Sequence, residues 1–215
     1  MAINDPSTQD PAPPYGLITW EVEGNEGGPY HSRKLHVPSA TSGLTLGRGY
    51  DMKNRSSAKI NQDLTASGVP AADAGKIAMA AGLAGDAAKK FIVDQQLSAF
   101  EISKPAQVAL FLITYADEKA VVDRISAKPE TVAAYGACLW AKIDQAVIDL
   151  LVDLKYRGDY TPDSRVLVQP LAARNDLAGL AQAMKVRGNW PNVPKDRFER
   201  RIAFLDKALA ARAAG

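Results

Sequence analysis

The chain has 215 residues, 47% of them hydrophobic and 23% charged, the proportions of an ordinary globular protein able to build a packed core. Its formal net charge of +2 is too small to mark a nucleic-acid binder. A single cysteine, Cys138, excludes an intramolecular disulfide and a cysteine-built metal site, and two histidines, His31 and His36, are by themselves too few for a zinc hydrolase.

Residues 1–14 combine Pro, Asp and Ser without an apolar run, and read as a flexible tail rather than a signal peptide. No stretch approaches the length of a membrane-spanning helix. The expectation is a protein made in the cytoplasm, with no integral membrane segment, no nucleic-acid partner and no metal or organic cofactor. A monomer is expected.

Residues 15–23 carry Leu17, Ile18 and Trp20 at spacings that bury one face of a short helix. Gly24 stops it, and Gly27-Gly28 mark a turn. Glu23 then sits at a helix C-terminus beside Trp20, where the helix dipole and an apolar neighbour both favour an uncharged carboxyl, the form that donates a proton. Residues 29–37 and 43–46 read as two strands joined by the turn Pro38–Ser42. Gly47 and Gly49 allow a tight bend after them. Between Glu26 and Asp51 there is no Asp or Glu.

From Ser56 onward the pattern is helical, with helices near 56–67, 70–82, 84–97, 104–126, 130–156, 162–173, 175–186 and 195–213. Ser103, Thr161-Pro162 and Asn175-Asp176 are start signals; Gly68, Gly82 and Gly158 are stops. The segment 132–154 is apolar nearly all round and is the expected central buried helix. Cys138, within it, reads as a buried free thiol. Asp144, Asp149 and Asp153 read as solvated or paired. The expected architecture is α+β and mainly α: one domain over 15–215, with an active-site lobe at 15–55 and a helical lobe at 56–215.

Two carboxylates across a cleft can hydrolyse a glycosidic bond, one protonating the leaving oxygen and the other activating water or stabilising a cationic sugar. Glu23 and Asp51 suit these roles. Thr45 lies between them in sequence, and its hydroxyl can hold a water as donor or acceptor. The same residues also fit structural roles: Glu23 as a cap or ion-pair partner, Thr45 as a strand residue, Asp51 as a ligand of the backbone in the Tyr50–Asn54 turn.

The stretch Glu23-Gly24 followed by Gly43-Leu44-Thr45-Leu46-Gly47-Arg48-Gly49-Tyr50-Asp51 resembles the active-site signature of the phage-type lysozyme superfamily. It is most similar to the pesticin-like muramidase domains of bacterial and phage peptidoglycan hydrolases, in which an Asp follows directly on the Thr-x-Gly-x-Gly-Tyr run. In the T-even phage lysozymes the Asp instead lies between the Glu and the Thr, an interval that holds no acid here. The resemblance extends over about residues 15–210 through Ser103–Tyr115, Asp153–Tyr160 and Trp190–Phe204.

The resemblance implies a lysozyme-like fold and cleavage of the β-1,4 bond between N-acetylmuramic acid and N-acetylglucosamine in peptidoglycan. It implies Glu23 as general acid, Asp51 as base or charge stabiliser and Thr45 as the holder of water. It also implies an arginine facing the acid, for which Arg197 or Arg200 stands in the right segment. Arg48, Tyr50 and Trp190 are further candidates for sugar contacts, each equally compatible with packing or surface. A lytic transglycosylase, which needs only the Glu, and a catalytically silent wall-binding module are the rival readings. The implied partner is bacterial peptidoglycan. A phage endolysin released through a membrane pore would reach it, as would an antibacterial effector delivered by specialised secretion; the effector would have an immunity protein as second partner. In either case the site of action is the periplasm or cell wall.

Overall fold

A computed structural model of the chain describes residues 11–28 and 31–214. The expected tail at 1–14 falls mainly outside the described residues, as does the start of the strand expected at 29–37. The fold is 60% helix with one small antiparallel sheet, so it is α+β and mainly α. Among the described residues no helix is long and apolar enough to cross a membrane.

The elements in chain order are α1 (Leu17–Trp20), β1 (Thr45–Leu46), β2 (Tyr50–Asp51), α2 (Ser57–Ala66), α3 (Ala71–Ala78), α4 (Gly85–Asp94), α5 (Lys104–Ser126), α6 (Pro129–Tyr135), α7 (Gln145–Arg157), α8 (Pro162–Ala173), α9 (Leu177–Lys185) and α10 (Lys195–Ala214). They form two compact units. Glu23–Thr114 belongs to the first, and Tyr15–Val22 with Tyr115–Gly215 to the second. The expected division at residue 55 is therefore corrected. Leu44, Leu46, Tyr50 and Met52 from the strands share one core with Ile60, Leu64, Ile77 and Leu110, and that shared burial binds α2–α4 to the strands.

In the first unit, β1 and β2 pair with Thr45 opposite Asp51 and Leu46 opposite Tyr50. Strand alternation turns Leu44, Leu46, Tyr50 and Met52 toward the core and Thr45 and Asp51 to the other face. The turn between the strands holds Gly47 at φ 62 and Gly49 at φ 84, a conformation that costs a side-chain-bearing residue about 1 kcal/mol or more. Over its described residues, 31–37, the expected strand is reduced to isolated bridges, His31 to Asn25, Lys34 to Glu101 and His36 to Thr45. Two-residue strands leave no periodic pattern for a sequence to show.

In the second unit the single helix expected over 130–156 is two. Gly136, at φ 90, ends α6. A 3₁₀ turn at Trp140–Lys142 follows, and Asp144 starts α7 by accepting from Ala146 N at 2.8 Å. Cys138 lies in the irregular link, accepts a hydrogen bond from Gln169 Nε2 at 3.4 Å, and burial pushes its thiol pKa up. From Val147 to Leu154 α7 is buried on every side. The boundaries of α5 and α8 fall where the caps predict them: Ser103 Oγ accepts from Ala106 N, and Thr161 forms a reciprocal capping box with Ser164.

Candidate active site

The helix expected to end at Glu23 is a single turn. Gly16 enters it in the left-handed region and Glu21 closes it, so Glu23 lies in a bend beyond the helix, half-buried. Four residues sum to little macrodipole, and the expected dipole effect on Glu23 has no structural basis.

The bend that carries Glu23 is stitched to the rest of the first unit through Asn25, Ser32 and Arg48. Asn25 exchanges two bonds with Ser32, its N–H donating to Oγ at 2.8 Å and its carbonyl accepting from Ser32 N at 2.8 Å. Ser32 in turn accepts from Gly47 N at 2.7 Å. Arg48 Nη1 donates to Gly24 O at 3.4 Å. A Cβ on Gly24 would stand 2.6 Å from Arg48 Cγ and 2.7 Å from Ser32 Oγ. Only glycine allows this approach, which explains the Glu-Gly pair physically.

Thr45 and Asp51 flank the same Gly47–Gly49 turn. Thr45 is 5% exposed as a residue, and its hydroxyl donates to Gly43 O at 3.2 Å, which leaves its lone pairs as acceptors. Asp51 Oδ2 accepts from Gly43 N at 3.0 Å and Oδ1 from Lys53 N at 2.7 Å. Asp51 thus ligates the backbone of its own turn while facing the side of the sheet that Thr45 faces.

The expected sugar contacts fare differently. Tyr50 is 0% exposed; its Oη donates to Asp63 Oδ2 at 2.8 Å, and the Arg55 guanidinium stacks on its ring at 4.3 Å. Strand alternation puts it in the core because Asp51, its neighbour, points the other way, so Tyr50 is corrected to a packing residue. Trp190 is likewise buried, with Nε1 donating to Ala183 O at 3.2 Å; it packs and offers no open face for a sugar. Arg48, 9% exposed, is held beside Glu26 at 3.5 Å. Burial lowers its pKa and the Glu26 charge opposes the drop.

Arg197 is buried in the second unit and donates to Asp153 Oδ1 at 2.6 Å. Arg201, which sequence reasoning passed over, donates through Nε to Asp153 Oδ2 at 2.7 Å and lies 2.8 Å from Asp159 through Nη1. Arg200 is exposed, 3.9 Å from Glu21. Asp153 also accepts from Thr19 Oγ1 at 3.1 Å, and the nearby Asp149 accepts from Gly16 N, Tyr115 Oη and Gln145 Nε2. These two aspartates anchor α1 to α7. They are paired, as the sequence allowed, and fully enclosed, which it did not indicate.

Sequence reasoning also missed Glu26 and Arg33. Arg33 Nε donates to Glu26 Oε2 at 3.0 Å. Burial raises the Glu26 pKa, but the hydrogen bond from Arg33 and the charges of Arg33 and His31 oppose it, and the carboxyl is held below its ordinary value. An acid between two glycines with arginines following was the only signal. Among the described residues no three His, Cys, Asp or Glu side chains gather as a metal site.

No curated protein matches the chain in sequence. Residues 16–202 match the family described as Domain of unknown function (DUF8812). That span covers α1 and every element through the buried Arg197 and Arg201 of α10, and the chain belongs to this family.

Proposed function

We propose that the protein is a peptidoglycan hydrolase with a lysozyme-like fold, a muramidase that cleaves the β-1,4 bond between N-acetylmuramic acid and N-acetylglucosamine. Glu23 is the general acid, Asp51 the base or charge stabiliser, and Thr45 the holder of the attacking water. The reading is carried by one observation. The bend after Glu23 is bonded to the Gly47–Gly49 turn through Ser32 and Arg48, and Thr45 and Asp51 stand opposite each other at the two ends of that turn. Glu23 thus adjoins, through Gly24 and Asn25, the braced turn whose two ends carry Thr45 and Asp51, an arrangement that supports the two-carboxylate reading.

The protein acts on the cell wall as a phage endolysin or as an antibacterial effector, and in the second case an immunity protein is its partner. Lytic transglycosylation is the second reading. It is favoured by the two backbone amides that occupy the Asp51 carboxylate, because that reaction needs the acid alone. The test is clearing of suspended, purified peptidoglycan by the wild type and by Glu23→Gln. Clearing lost in the variant supports a Glu23-dependent glycosidase. Sacculi that bind the wild type without clearing leave a silent wall-binding module and overturn the proposal.

A further inference from the structure

Three polar residues stand in a row across the strands of the first unit. His36 N donates to Thr45 O at 3.0 Å and Thr45 N to His36 O at 2.8 Å, the mutual exchange of a directly opposed antiparallel pair. Thr45 in turn stands opposite Asp51. Directly opposed residues share a face, and the flanking residues show which one. Leu35 and Val37 flank His36, Leu44 and Leu46 flank Thr45, and Tyr50 and Met52 flank Asp51; all six belong to the buried core. His36, Thr45 and Asp51 therefore lie together on the face turned from that core, next to the turn to which the Glu23 bend is bonded through Ser32 and Arg48.

The members of the row are not equally placed to handle a proton. Asp51 directs one oxygen at Gly43 N and the other at Lys53 N, so its carboxylate is committed to the turn backbone. Thr45 gives its own proton to the Gly43 carbonyl. His36 differs. Its Nδ1 lies 2.9 Å from Lys34 O. A carbonyl can only accept, so Nδ1 carries the ring proton, and in the neutral ring the lone pair falls on Nε2. The residue is half-buried, and a backbone partner on its own segment sets its tautomer and holds the ring. A base oriented in this way by a third group is the recurring arrangement of proton acceptors in active sites.

The geometry points to His36 as the base of the proposed hydrolysis: it takes the proton of the water that Thr45 holds, while Asp51 serves as the charge stabiliser. The inference rests on the muramidase reading and decides between the two roles which that reading leaves to Asp51. In the step, the Glu23 proton passes to the leaving oxygen as the bond from that oxygen to the anomeric carbon breaks. The water oxygen bonds to the same carbon, and its proton passes to His36 Nε2. The ring then releases a proton to solvent and Glu23 takes one up, which restores the starting state.

The test is release of soluble fragments from purified peptidoglycan by the wild type, Glu23→Gln, His36→Gln and His36→Ala, each as the full chain and each checked by thermal unfolding. Glutamine keeps a polar side chain but takes no proton from water. His36→Gln is expected to lose about a hundredfold in rate. Added imidazole is expected to restore part of the loss in His36→Ala and none of it in Glu23→Gln. A folded His36→Gln protein that digests at the wild-type rate overturns the inference. So does a loss in His36→Ala that imidazole does not restore, which leaves His36 a strand residue alone. Diethyl pyrocarbonate, which acylates neutral imidazole, tests the wild type without substitution: digestion retained once mass spectrometry finds His36 acylated also overturns it. The two readings fail separately. A wild type that digests, with His36 variants that match it, loses the base alone; a wild type that releases no fragments loses the hydrolase reading and this inference with it. Anhydro ends on the fragments mean that no water attacks, and they overturn the base while leaving Glu23 as the acid.

Discussion

Asp51 stands opposite Thr45 in the two-stranded sheet, and both of its carboxylate oxygens accept from backbone amides, those of Gly43 and Lys53. The side chain is held in one orientation by the turn it closes. Asp51→Ala removes a charged acceptor from two amides and is expected to destabilise the protein by about 2 kcal/mol. Asp51→Asn keeps one acceptor oxygen and should lose about half as much. Urea unfolding of the two variants checks this; equal, negligible losses would mean that water replaces the carboxylate.

Gly43 controls the same geometry from the other side. A Cβ there would lie 2.3 Å from Asp51 Oδ1 and 2.6 Å from Lys53 N, and the second contact is backbone that cannot swing away. Gly43→Ala should therefore displace Asp51 and the Lys53 turn, costing about 1–3 kcal/mol. It should also lower wall digestion, though less than Asp51→Asn, which removes the proposed base or stabilising charge outright. Digestion rates and unfolding midpoints of both variants give the comparison.

In the second unit, Asp153 is the shared counterion of the buried Arg197 and Arg201. Asp153→Asn removes the charge that Arg197 and Arg201 share, leaving Arg201 only its contact with Asp159 among the carboxylates described, and is expected to cost about 3–5 kcal/mol, the size typical of breaking a buried pair from one side. Replacing Asp153, Arg197 and Arg201 together with apolar residues should cost less than that single change. A triple variant less stable than Asp153→Asn would show that the cluster contributes net stability.

Asp149 makes stability depend on pH with a definite sign. Burial raises its pKa above the ordinary 3.8, and the bonds from Tyr115, Gln145 and Gly16 only partly offset the rise. Between 3.8 and the raised folded value the native state binds more protons than the unfolded one, so stability falls as pH increases through that window. The contribution is full below 3.8 and gone above the folded value. Asp149→Asn should flatten this part of the curve, read from the difference between the two proteins' thermal midpoints across mildly acidic pH. Parallel curves would contradict it.

How much of this was legible follows from where each contact reaches. The ends of α5 and α8 are set by Ser103 and by Thr161-Pro162, residues that bond within three positions of themselves, and sequence shows such caps directly. The break at Gly136 and the cap at Asp144 carried the same kind of local signal, but the apolar run around them masked it. The strands around Thr45 are two residues long and depend on partners such as Glu101 and Ala84, which no periodicity reveals. The inward turn of Tyr50 was readable from its place next to Asp51 once the two were on one strand; its bond to Asp63 was not. The Asp51 bond to Lys53 was foreseeable as a local turn, whereas its bond to Gly43 needed the strand pairing. The buried roles of Arg197 and Arg201 depend on Asp153, more than forty residues earlier, and nothing local announces such a pairing.

The most direct test of the central claim is mass spectrometry of borohydride-reduced soluble fragments from purified peptidoglycan treated with the wild type and with Glu23→Gln. The account predicts fragments ending in reduced N-acetylmuramic acid from the wild type and none from the variant. Anhydro-muramic ends would assign transglycosylation instead, and fragments of equal yield from Glu23→Gln would contradict the assignment of Glu23 as the acid.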